Sequence, residues 1–168
     1  MFDAALLVLR VVVGLLFIGH GAQKLFGWFG GGGLKGTAHF MESLGLTPGR
    51  YWAVLAGLSE FVGGLLMLTG LLNPIGPLAI LGAMIMATVK AHWGKPIWSS
   101  SGGAELPVVY GAIAVALLLT GYGRYSLDNL LNISLPSWVV LAGFLVIILL
   151  LVLATVPGVS RSAKYSTS

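Results

Sequence analysis

The chain has 168 residues, 57% of them hydrophobic and only 8% charged, with a net charge of +4 and a mean hydropathy of +0.97. A water-facing domain carries about 25% charged residues, so a soluble globule is excluded and an all-α membrane protein is predicted. The absence of cysteine excludes a disulfide framework, a zinc–thiolate site and thiol redox chemistry by the chain itself, and the modest positive charge suits anionic lipid headgroups, not nucleic acid.

Five apolar segments are candidates to cross a bilayer, which takes roughly 20 residues as helix. They are residues 4–26, 51–72, 75–91, 106–122 and 137–156. Backbone groups inside hydrocarbon must bond internally, so each is read as a helix. The first is too long for a signal-peptide core, has no basic residue before Arg10 and lacks a small-residue cleavage site, so it is expected to stay as a span. Within it Arg10, Gly14, Phe17, Gly21 and Lys24 follow a 4-3-4-3 spacing, which keeps them on one helix face, with His20 and Gln23 close to that face.

A long loop follows, "GWFGGGGLKGTAHFMESLGLTPGR". Its four glycines follow no strand and do not fit a dinucleotide fingerprint, so they predict a flexible loop. The second segment carries Glu60 among Gly57, Gly63 and Gly64, and "LLNPIG" predicts a tight turn with Pro74 and Pro77 near the next helix start. In the third segment Ala79, Ala83 and Ala87 recur four apart, as they do where membrane helices approach closely. A second long loop, "HWGKPIWSSSGGAE", leads to Glu105 at the start of the fourth segment, with Tyr110 about a turn and a half deeper. The fifth segment and a short polar tail close the chain.

With an odd number of antiparallel crossings, both long loops and the tail share one side. That side holds Lys24, Lys35, Arg50, Lys90, Lys95, Arg161 and Lys164, and the other holds Arg124. The positive-inside rule then places the long loops in the cytoplasm and the N-terminus outside, in a multi-pass integral membrane protein.

Charges inside the spans ask for partners. Arg10 lies about 10 Å into the first helix and Glu60 about 14 Å into the second from the opposite side, at ~1.5 Å per residue. In a hydrocarbon core roughly 30 Å thick the two come within several Å in depth, so an Arg10–Glu60 pair is expected. Two readings of that pair stay open. It is either a structural salt bridge that sets helix register, or a proton relay in which Arg10 tunes Glu60. His20, Lys24, His39, Lys90, His92 and Glu105, with Trp28, Trp93 and Trp98, gather at the long-loop end, and the opposite end carries almost nothing. Of these, His20, Lys24, His92 and Glu105 are the candidate ligand-binding residues. Each has a plainer reading: snorkelling for the lysines, dipole complementation for Glu105, an interfacial belt for the tryptophans. No metal-binding spacing of histidines is present, so no metal site is expected.

The segments "RVVVGLLFIGHGAQKLFG", "SEFVGGLLMLTGLLNPIG", "KAHW" and "GGAELPVVYGAIAVALLLTGYGRYSLD" resemble the DoxX family of small membrane proteins. The resemblance runs from about Arg10 to Asp128. Its specific parts are the Arg10–Lys24 segment, Glu60 with Gly63 and Gly64, and the closing "GRYSLD". It implies an antiparallel four-transmembrane-helix bundle over residues 1–128, leaving 129–168 as an extension with a fifth helix. It also implies a setting in quinone-linked electron transfer, with a quinone as the bound molecule and a soluble or membrane redox partner protein. In that reading His20 and Lys24 contact the quinone headgroup, Glu60 relays protons, and Glu105 or His92 line the mouth. With no haem or flavin motif, electrons come from a partner or an external reductant. The alternatives are a non-catalytic membrane subunit that assembles with another complex through the fifth helix, and, less favoured, a small anion transporter.

Overall fold

The computed structural model describes residues 1–156; Arg161 and Lys164 lie outside the described residues. The described chain is helical. It comprises α1 (Phe2–Phe26), α2 (Gly33–Ser43), α3 (Gly49–Thr69), α4 (Ile75–Ala87), α5 (Glu105–Thr120), α6 (Leu127–Leu131) and α7 (Trp138–Thr155). A wider π-type turn, Thr88–His92, continues α4, so that Ile75–His92 forms one 18-residue apolar rod. It joins Phe2–Phe26, Gly49–Thr69 and Trp138–Thr155 as helices long and apolar enough to cross a bilayer. At 16 residues α5 is shorter, about 24 Å at ~1.5 Å per residue.

The antiparallel bundle is organised by the α1–α3 seam. Without water to drive collapse, membrane helices gain most from close backbone approach. A Cβ on Gly14 would stand 2.8 Å from the Gly64 carbonyl, and one on Gly21 would stand 2.5 Å from the Phe61 amide nitrogen. No larger residue fits there without moving a helix. Gly57 receives Leu25 in the same seam, and Gly63 faces Ala79 and Ile80 of α4. The core fills in between with Phe17, Met67, Ile80, Leu81, Met84 and Leu117. Around it α4 packs on α3 and α5, and α7 packs on α4. There Gly82 meets Ile147 and Gly143 meets Leu78.

Two expectations need correction. The first long loop contains a helix, α2, packed on α1 and α3. Leu34, Ala38 and Met41 recur at helical spacing and turn toward the bundle, while His39 and Glu42 face out; the glycine run just before them hid this period. The short-loop end is also far from empty, because the chain after α5 folds back over it through "GRYSLD" and α6.

Candidate functional site

The inner face of α1 carries one cation near each end, and the two are held differently. Toward the long loops, Lys24 Nζ donates to Glu60 Oε2 across the α1–α3 seam. The Glu60 side chain is 7% exposed and that of Lys24 28%, so the carboxylate is interior while the ammonium reaches the edge of the bundle. Spacing explains the placement: Gly57, Glu60, Gly64 and Met67 share the buried face of α3, as Gly14, Phe17 and Gly21 do on α1. The α2 residue Thr37 donates its hydroxyl to the Lys24 carbonyl at 3.2 Å, tying that helix to the same turn.

One turn before Lys24, His20 Nδ1 lies 3.3 Å from Gln23 Oε1, and Gln23 Nε2 donates to the Phe29 carbonyl at 3.3 Å. The His20 ring meets Phe17 edge-on at 6.0 Å between centroids, and Phe17 meets Tyr110 of α5 at 5.1 Å. His20 itself is exposed. Lys24, Glu60 and His20 therefore belong to one end of the bundle, where the buried Phe17 ring links His20 to Tyr110 of α5.

Other expected members serve the loops. His92 Nδ1 lies 2.7 Å from the Gly102 carbonyl, and Glu105 Oε2 accepts from the Ser99 amide at 2.8 Å, so both fasten the α4–α5 connection. Neither reaches Lys24 or Glu60 by hydrogen bond. Lys90 donates to the Ala154 carbonyl at 3.0 Å, satisfying one of the last carbonyls of α7. His39 lies 3.8 Å from Glu42 on the exposed face of α2. Among the described residues no three His, Asp or Glu side chains gather closely enough to hold a metal ion.

The Arg10–Glu60 pair does not form. Glu60 stands at the level of Gly21, beside which Phe61 packs, and Gly21 lies about 16 Å further along α1 than Arg10 at ~1.5 Å per residue. Depth counted inward from each apolar run misjudged this, because α1 is 25 residues long and overlaps α3 in a register set by the glycine contacts. Arg10 cannot tune Glu60 from there; Lys24 is its partner.

Arg10 is instead the anchor of the short-loop end. It is fully buried, donates Nη2 to the Tyr125 carbonyl at 2.6 Å and lies 5.5 Å from the centre of the Tyr122 ring. Asp128 interacts with it electrostatically without a direct ion pair. That carboxylate accepts the amides of Leu72 at 2.7 Å and Asn73 at 2.8 Å, which pins the α3–α4 turn to α6. The Asp128 amide in turn donates to the Gly70 carbonyl at 3.0 Å. Asp3 accepts the Arg124 amide at 2.9 Å, and Ser126 caps α6 by accepting from Asn129 at 3.2 Å. A detectable signal existed in the sequence, since six polar or charged residues fall in 122–129 just after an apolar helix.

Sequence comparisons place the chain among known membrane proteins. The family model described as DoxX matches residues 5–93, from the start of α1 to the turn that ends α4. "Putative oxidoreductase CatD" of Bacillus subtilis (strain 168) is 30% identical over 131 residues, covering 76% of this chain and 87% of that protein. "Inner membrane protein YqjF" of Escherichia coli (strain K12) is 33% identical over 132 residues, covering 77% and 94%. "Inner membrane protein YphA" of the same organism is 31% identical over 133 residues, covering 74% and 88%. No solved structure matches the chain significantly. With the α1–α3 seam and the Lys24–Glu60 pair inside the matched region, this multi-pass membrane protein belongs to the DoxX family.

Proposed function

We propose that the chain is the membrane subunit of an oxidoreductase and receives a quinone beside the Lys24–Glu60 pair. The observation that carries this reading is that pair itself: an interior carboxylate holding an ammonium that still reaches the bundle edge. A charged pair is an expensive device for packing alone, since an apolar pair of similar volume often serves as well. It is a fitting device for moving protons. An ammonium offers three N–H donors, and Glu60 occupies one of them. Another would meet a quinone carbonyl, with the half-buried Tyr110 ring supplying an apolar wall and the exposed His20 a second polar contact.

Reduction of a quinone to the quinol consumes two electrons and two protons. Lys24 would deliver the two protons in turn to the carbonyl oxygens, each replaced from water at the bundle edge with Glu60 as the relay, and a redox partner protein would deliver the two electrons. The name of the relative "Putative oxidoreductase CatD" points in the same direction. The test is quinol formation in membranes containing the protein, compared with Glu60→Gln and His20→Ala variants of equal expression. A loss of about tenfold or more in Glu60→Gln is expected; unchanged rates in both would overturn the reading.

A second reading rests on α7. Its apolar 18-residue stretch is 11% buried and packs on α4, leaving a broad face for another membrane protein. In that case the chain is a non-catalytic subunit. Deleting residues 137–168 would then abolish co-purification of a partner, and an unchanged set of co-purified proteins would dismiss it.

A further inference from the structure

At the short-loop end, remote from Lys24 and Glu60, a cleft of about 730 Å³ opens between the end of α5, α6 and the start of α7. Its lining is divided. Asp3, Asn73, Arg124, Asp128 and Asn129 form a polar side, and Leu118, Leu135 and Val140 form an apolar one. This division lies where a lipid-embedded helix meets the headgroup layer, with α5 ending at Thr120 and α7 beginning at Trp138, a 65% exposed tryptophan of the kind that marks that layer.

The polar side has specific unmet capacity. Asn73 Oδ1 is buried with no hydrogen-bond partner, so it needs a donor. Asp3 lines the cleft with one carboxylate oxygen, Oδ1, taking the Arg124 amide. Both Asp128 oxygens are already engaged by backbone amides. Among the described residues no carboxylate pairs with the Arg124 guanidinium, an exposed cation on the rim. The site therefore asks for a molecule with an N–H donor cation at one point, an anion at another and an apolar body.

We propose that this cleft holds the headgroup of an aminophospholipid, its primary ammonium on Asp3 and Asn73 Oδ1 and its phosphate on Arg124. The chemistry separates this ligand from its neighbours. Inorganic phosphate would face two carboxylates with one rim cation. A phosphatidylglycerol has no cation for Asp3. A phosphatidylcholine has one, but its quaternary nitrogen has no N–H to give Asn73 Oδ1. The acyl chains of the lipid would leave along Leu118 and Val140.

The experiment uses the full chain in mild detergent and native mass spectrometry with phosphatidylethanolamine, phosphatidylcholine and phosphatidylglycerol of identical acyl chains. Phosphatidylethanolamine is expected to be retained about fivefold over the other two, a difference of roughly 1 kcal/mol. Arg124→Gln and Val140→Trp should each remove that preference, the first by deleting the phosphate contact and the second by filling the apolar side. Neither touches the hydrogen bonds of Asp128 or Arg10, and an unchanged thermal midpoint would show that each variant is folded. Equal retention of all three lipids, or a preference untouched by both variants, overturns the proposal. Competition by soluble glycerophosphoethanolamine at the same concentration as the lipid would also overturn it, by making the ligand a free headgroup.

Discussion

At one end of the α1–α3 seam a lysine meets the side chain of a glutamate; at the other an arginine meets a backbone carbonyl, an aromatic ring and a loop fixed by backbone amides. Both arrangements solve the problem of a cation near hydrocarbon, and the difference lies in what each can change. Lys24 is partly exposed and meets Glu60 side chain to side chain, so either can move without displacing a loop. Arg10 keeps its charge, is fully buried, and is held by groups that move only if the loop moves. The long-loop end is therefore held by a side-chain pair open to the bundle edge, and the short-loop end by a buried cation and a fixed loop.

Mutations can break or sharpen that contrast. Arg10→Ala should have the largest effect, a loss of about 4 kcal/mol, because it opens a cavity and strips the Tyr125 carbonyl and Asp128 of their cation. Reversible unfolding in mixed micelles would measure it, and a loss below about 1 kcal/mol would mean that Arg10 does not hold the loop. Lys24→Met should cost about 3 kcal/mol by leaving Glu60 buried without its partner. The double variant Lys24→Met/Glu60→Leu should recover most of that loss. If it does not, the pair is itself a stabilising element and the distinction between the ends weakens. Asp128→Ala should cost about 2 kcal/mol through two lost amide hydrogen bonds, seen most directly as faster amide exchange at Leu72 and Asn73. Gly21→Ala should cost a similar or slightly smaller amount, since its Cβ would collide with α3 backbone. Gly19→Ala, two residues away with nothing within 4 Å, should change stability by less than about 1 kcal/mol and in the favourable direction.

The legible parts of the fold were those written in periodicity. Apolar runs predicted the crossing helices and the C-terminal α7, and the 4-3-4-3 face of α1 became the buried seam. Ala79 and the α3 glycines were legible as contact residues and pack as such. Partner choice was harder, because it depends on the axial offset between two helices, and that offset is set by which glycine meets which backbone atom. Hence depth alone pairs Arg10 with Glu60, whereas Lys24 takes that place. The roles of His92 and Glu105 in the loop are equally hidden, since a histidine donating to a backbone carbonyl, or a glutamate accepting from an amide, leaves no spacing signature. The polar knot around Asp128 shows in the sequence only as a cluster of polar residues in 122–129, because its partners are backbone amides, which every sequence has.

The seam has a consequence for how such chains can vary in length. Arg10 and Lys24 sit two heptads apart, so both point inward only while the count between them holds. Inserting or deleting one residue between them would rotate one cation by about 100° relative to the other, toward lipid. Loops and the α7 extension can drift freely by comparison, whereas the middle of α1 behaves as a frame whose reading is lost with a single slip.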